Sequence, residues 1–143
     1  AAGQDFGLNI TNVMIGWVGD VVYVLSDYGA FNMTTQSFNE ELKARGWFDE
    51  VYPVYCDPAG GERIQEITGG IKANNSVESG IDFINAKIER GQFFVCEKCT
   101  GVLSEIGDYC RDEAGEIVKV NDHFMDALRY AVFSDVQQGI IAV

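Results

Sequence analysis

Residues 50–67, EVYPVYCDPAGGERIQEI, constrain the fold more than any other stretch. Glu50 to Cys56 is rich in Val and Tyr and reads as a strand, with Pro53 arguing against a fully paired centre. The strand stops at Asp57-Pro58. Proline suits the first position of a helix, where its missing N–H would have no partner, so Ala59 to Ile67 is predicted helical. A strand that ends in an acid and turns into a helix is the unit of an open α/β sheet. Such sheets bind ligands outside the carboxyl ends of their strands.

The flanking segments extend that unit. Ala1 to Gly7 is a short first strand carrying Asp5, and Thr11 to Trp17 and Asp20 to Leu25 are β-rich, with a tight turn at Gly19-Asp20. Together they predict an antiparallel meander. Thr34 to Arg45 reads as a helix stopped by Gly46. Gly69 to Asn75 is a loop or short extended piece. Ser76 to Arg90 is the clearest helix, with Val77, Ile81, Ile84 and Ile88 on one face and Gly91 as its stop. Phe93 to Cys96 is a short strand, and Thr100 to Cys110 a helix with Leu103 and Ile106 inward. Asp112 to Gly115 is a turn, Ile117 to Val120 is extended, and a last helix runs from Asp122 to Gln137. A meander followed by right-handed crossovers gives a mixed sheet with helices on both faces. Its first strand is expected beside the strand ending at Asp57.

Composition narrows the function. At 143 residues and 47% hydrophobic, the chain suits one domain with a packed core, residues 1–143. No apolar run has membrane-spanning length, and no membrane partner is expected. The chain does not begin with Met, which fits an excised domain. The net charge of −12 argues against a broad basic nucleic-acid face. It does not argue against a nuclease, whose carboxylate cluster is acidic by need and whose bound cations reverse the local potential. Of the four cysteines, Cys96 and Cys99 form a CxxC with no second pair, leaving Cys56, Cys110 and His123 as the only completions of a zinc site. No zinc is expected there. Cys96 is read as a buried strand residue and Cys99 as a helix-start residue, in a reducing compartment.

The last helix opens with Asn121-Asp122-His123-Phe124-Met125-Asp126. Asn121 or Asp122 can cap it, Phe124, Leu128 and Ala131 make its apolar face, and His123 and Asp126 project to a similar side. The expected topology sets Asp5 and Asp57 on adjacent strands near one edge of the sheet, with Asp126 facing them across the helix. Three such carboxylates repel one another unless cations lie between them. Two divalent ions about 3.5–4 Å apart would suit phosphodiester hydrolysis. Oxygen ligands favour Mg²⁺ or Mn²⁺, and His123 could orient water, move a proton or serve as a nitrogen ligand.

Five stretches together resemble one family: Gln4-Asp5-Phe6-Gly7, Tyr55-Cys56-Asp57-Pro58-Ala59, Ser76 to Ile81, Cys99 to Tyr109, and above all Asp122 to Tyr130. They resemble the C-terminal nuclease domain of tailed-phage (or prophage) terminase large subunits. That resemblance implies a ribonuclease-H-like fold and a metal-dependent endonuclease that cuts concatemeric double-stranded viral DNA during packaging. It matches Asp5, Asp57 and Asp126 to the metal-binding acids and His123 to the accompanying histidine. Phe124 stands where the family usually has Ala, and a Cys is often found at the position of Cys99. The implied partners are double-stranded DNA, the portal protein, the small terminase subunit and an N-terminal ATPase motor, in the host cytoplasm. No GxxxxGK[ST] phosphate loop occurs here, so the motor is expected to lie outside this chain. Lys72, Lys87, Arg63 and Lys119 are the candidate phosphate contacts, unranked, with solvated surface charge the favoured reading. Two competing readings remain at this stage. One is another ribonuclease-H-like nuclease acting on junctions or hybrids, and the other is a non-catalytic docking domain.

Overall fold

The computed structural model describes residues 1–46, 53–107 and 122–137. In chain order these form β1 (Ala2–Asp5), β2 (Asn9–Val18), β3 (Val21–Phe31), α1 (Thr35–Ala44), β4 (Val54–Cys56), a 3₁₀ segment (Pro58–Glu66), β5 (Gly70–Lys72), α2 (Val77–Glu89), β6 (Phe93–Val95), α3 (Thr100–Ile106) and α4 (His123–Gln137). The predicted strand Ile117 to Val120, the turn before it, Cys110 and Lys119 lie outside the described residues.

The strands make one mixed sheet in the order β5-β4-β1-β2-β3-β6. β1, β2 and β3 are the antiparallel meander. β1 pairs with β4 in parallel, as expected, and β4 with β5 and β3 with β6 are also parallel. β1 and β4 are thus interior strands rather than an edge, because the short Gly70–Lys72 piece pairs outside β4.

Alternation along β1 and β2 assigns the two faces. Ala2 packs with Val54, Cys56, Ile64 and Ile67, and Ile10 with Phe38 and Leu42 of α1. That face carries α1 and the 3₁₀ segment. Gly3, Val13 and Ile15 face the other way, where α4 lies across β1, β2 and β4 with α2 and α3 beside it. Gly3 is needed for this contact. A Cβ there would lie 1.8 Å from the carbonyl oxygen of Ala127 on α4.

β3 carries a bulge. Ser26 pairs with Met14 and Val24 with Ile15, so Leu25 is the extra residue. The bulge flips the alternation, and Val22, Val24 and then Asp27 and Gly29 all face the α4 side.

Three local expectations change. The predicted helix Ala59 to Ile67 is instead a 3₁₀ segment broken at Gly61 (φ 57°, ψ −123°), because the Gly60-Gly61 pair disfavours a continuous helix. Gly60 also makes room for the Phe6 ring. On α2, Ile81 and Ile84 are buried and Val77 packs beside them, but Ile88 is exposed and Lys87 is buried in its place. The Lys87 ammonium donates to the carbonyl of Asp20 (2.7 Å) and to Gln92 (3.3 Å), and it lies over the Trp17 and Phe83 rings. That removes it from the candidate phosphate contacts. On α3, Leu103 is exposed while Val102 and Glu105 are buried.

The cysteine reading also shifts. Cys99, at the start of α3, is the buried one, and Cys96, just past β6, is half-buried. Among the described residues no helix is long and apolar enough to cross a membrane.

Candidate active site

β1 and β4 run in parallel and end together. Gln4 is in register with Cys56, and the Asp57 N–H donates to the Gln4 carbonyl (2.8 Å). Asp5 and Asp57 therefore sit side by side at the carboxyl ends of neighbouring strands. Asp57 also accepts from the Ala59 N–H (2.9 Å), capping the 3₁₀ segment.

The first turn of α4 closes over this pair. His123 Nδ1 lies 3.5 Å from Asp5 Oδ2. The His123 carbonyl accepts from the Thr11 hydroxyl (2.9 Å), and its Nε2 lies 3.4 Å from the Asn9 side-chain amide. Asp126 accepts from the Arg129 guanidinium one turn on (3.2 Å). Arg129 is itself buried, reaching Asn75 (3.3 Å) and lying over the Tyr130 ring. Gly80 of α2 makes space for it: a Cβ there would meet the Arg129 side chain at 2.6 Å.

The electrostatics follow from that crowding. Burial, then the charge of Asp126, then that of Asp57 and a hydrogen bond with it, push the Asp5 carboxyl up to about 8. A backbone bond from Phe6 opposes this. The Tyr130 phenol is also raised, by burial and then by Asp57 and Asp5. Uncompensated negative charge of this kind is what a bound cation relieves, so the donor set suits a hard divalent ion. As the side chains stand, no three His, Cys, Asp or Glu residues among those described form a ready cage for a metal ion.

The structure thus gathers Asp5, Asp57, Asp126 and His123 at one end of the sheet. An open groove of about 600 Å³ runs past His123, bordered by Asn9, Phe31, Ser104 and Glu105.

Asp122 stands at the predicted cap position, and its carbonyl accepts the first bond of the helix, from the Asp126 N–H (2.7 Å). Asn121 lies outside the described residues, and the first-turn N–H groups of Phe124 and Met125 donate to one oxygen of Glu105 on α3, at 2.9 and 3.1 Å. Glu105 had no local sequence signal, because it reaches α4 across 19 residues. Arg129 had one, its spacing of three from Asp126.

Comparison with known proteins converges on one group. A family model described as the terminase RNaseH-like domain matches residues 3–135. The terminase large subunit of Enterobacteria phage LP7 is 34% identical over 94 residues, 66% of this chain and 20% of that protein. The one from Salmonella phage P22 is 36% identical over 86 residues, 60% of this chain and 17% of that protein. The chain thus spans about a fifth of the length of the curated relatives it matches. Among solved structures, the P22 large terminase nuclease domain superposes with a TM-score of 0.79 at 27% identity, covering 95% of this chain and 80% of that one.

Proposed function

This chain belongs to the terminase RNaseH-like domain family, and from that premise we propose that it is a divalent-metal-dependent endonuclease that cuts concatemeric double-stranded viral DNA during genome packaging. The observation that carries this reading is the meeting of Asp5 and Asp57, side by side on neighbouring strands, with His123 and Asp126 on the first turn of α4. A related fold, the large terminase nuclease domain of bacteriophage SPP1, was solved with bound Mn (TM-score 0.72, 15% identity, 96% of this chain and 85% of that one).

In this reading Asp5, Asp57 and Asp126 hold two Mg²⁺ or Mn²⁺ ions. When bound, such ions lower the pKa of the attacking water and stabilise the leaving 3′-oxygen. The protein's own residues supply the rest. Asp5 and Asp57 are fixed by the β1–β4 pairing, and Asp126 is oriented by Arg129. His123, held by its carbonyl on Thr11 and its ring beside Asp5, orients water or moves a proton. Residues 1–143 act as one nuclease unit of a longer packaging protein with an ATPase motor. That protein works with the portal and the small terminase subunit in the host cytoplasm. This chain's identity of 34% and 36% to phage terminase large subunits supports that placement.

The test is plasmid nicking with Mn²⁺ or Mg²⁺. Asp5→Ala, Asp57→Ala and Asp126→Ala should each reduce cleavage to background. His123→Ala should slow it roughly 10- to 100-fold, the range for groups that orient metal ligands, and Asp122→Ala should matter least. If all three Asp variants cut like wild type, the acids are not the catalytic centre. Preference for a four-way junction or an RNA–DNA hybrid over duplex DNA would replace the packaging substrate.

A further inference from the structure

The first turns of α3 and α4 both donate to carboxylates on neighbouring elements. Cys99, at the cap position of α3, makes no side-chain capping bond. Instead the Val102 N–H donates to Asp27 Oδ2 of β3 (2.8 Å). Asp27 can reach α3 only because the bulge at Leu25 turns it onto the helix side of the sheet. Glu105, on the buried face of α3, then accepts from the Phe124 and Met125 N–H groups of α4. Both belong to the first turn, whose N–H groups have no acceptor within the helix. Carboxylate-to-amide bonds at a helix start are among the stronger hydrogen bonds. The sheet thus holds α3, and α3 holds the turn of α4 that bears His123 and Asp126.

We propose that Glu105 is a positioning residue for the candidate metal centre, acting as a cap supplied by α3 that fixes where the first turn of α4 presents His123 and Asp126. The inference rests on the reading of Asp5, Asp57 and Asp126 as the metal-binding acids. Glu105 is no ligand in it. Its Oε1 is engaged by two backbone amides, and a shift of that turn would carry His123 away from Asp5, 3.5 Å off. Because the bond depends on reach and on an acceptor oxygen, a side chain with both should suffice even without the charge.

The experiment uses the 143-residue chain with Glu105→Ala, Glu105→Gln and Glu105→Asp, and Ile84→Val on α2 as a control for plain destabilisation. Three quantities are read: amide hydrogen exchange at Phe124 and Met125, the Mn²⁺ dissociation constant by calorimetry, and kcat and KM for duplex nicking. Glu105→Ala and the shorter Glu105→Asp should lose protection at both amides. They should bind Mn²⁺ roughly 10-fold more weakly, as expected of a group that orients ligands, and lose kcat with little change in KM. Glu105→Gln keeps an acceptor at the same reach and should stay near wild type in all three. Unchanged amide exchange in Glu105→Asp would overturn the proposal. So would Glu105→Asp outperforming Glu105→Gln, or the control losing as much Mn²⁺ affinity as Glu105→Asp. If wild-type protein binds no Mn²⁺, the metal reading itself fails, while the exchange measurement still decides whether Glu105 is the cap.

Discussion

β1, made of small and polar residues, and the β3–β6 flank, rich in valine and aromatics, are packed in different ways. All four residues of β1 are buried, with Ala2 against the 3₁₀ side and Gly3 against the backbone of α4. In the first half of β3, Val22 and Val24 face the core, while Tyr23 and Leu25 are exposed on the other face. There Tyr23 stacks on Phe94 of β6, with centroids 5.4 Å apart. A strand packed on both faces has no freedom to shift, and Asp5 is placed at the end of that strand. The flank carries one packed face and so tolerates change on the other. The difference can be tested from the centre outward.

The largest effect is expected at Gly3. A Cβ there meets the Ala127 carbonyl at 1.8 Å and the Ala131 amide nitrogen at 2.8 Å. Both are backbone atoms, so relief requires moving α4 off the sheet. Gly3→Ala should cost more than about 3 kcal/mol, beyond the usual range for overpacking, and should separate Asp126 from Asp5. Urea unfolding measures it. A loss under about 1 kcal/mol would mean that α4 can slide and that the centre is no stiffer than the flank.

That contrast also explains what could be read from the sequence. Strand β4 and the acid after it were legible because turn chemistry and strand propensity are local, and its place beside β1 followed from the rules of strand connection. So was the Ile81–Ile84 face of α2. The end of that face was not. Ile88 and Lys87 are adjacent, and only tertiary contacts with Asp20 and Trp17 decide that the lysine goes in. Leu103 was misplaced for a similar reason: α3 has seven residues, too few for periodicity to fix a face. The caps by Asp27 and Glu105 join residues 75 and 19 apart in sequence, so no window along the chain contains them. Hence the candidate acids could be proposed from sequence, while the contacts that hold them could not.

A smaller effect is expected from pH in the absence of metal. Asp5 holds its proton to about 8 in the folded protein, through burial and then repulsion by Asp126 and Asp57, against an ordinary value near 4. Burial likewise raises Glu105 to about 7. Between these limits the folded chain binds more protons than the unfolded one, so stability should fall as pH rises from about 4 to about 8. Thermal melts in EDTA should record the fall, and Asp5→Asn should flatten it between about 7 and 8. Mn²⁺ should raise Tm more at pH 8 than at pH 5, because ligation needs the carboxylates deprotonated. Asp126→Asn should instead lower the melt, since it weakens the ion pair with the buried Arg129 guanidinium. A melt that rises from pH 4 to 8 without metal would show that Asp5 is not held protonated by its neighbours.

The smallest effect belongs to the flank. Phe94 is 51% exposed and Tyr23 36%, so truncating either removes mainly their mutual contact and little core. The rings are nearly parallel, at 17°, an arrangement whose pair term is about 0.5–1.5 kcal/mol in double-mutant cycles. Exposure should keep the value here at the low end. Phe94→Ala should therefore cost about 0.5–1 kcal/mol and leave nicking and the Mn²⁺-dependent Tm increment unchanged, because no bond from β6 reaches Asp5, Asp57 or His123 among the described contacts. Tyr23→Ala should act alike, and the double variant should cost less than the sum of the two. Strict additivity would mean that the rings stack without coupling. Loss of the Mn²⁺ increment in Phe94→Ala would mean that the flank and the acid-bearing centre are mechanically one, contrary to the contrast between their packings.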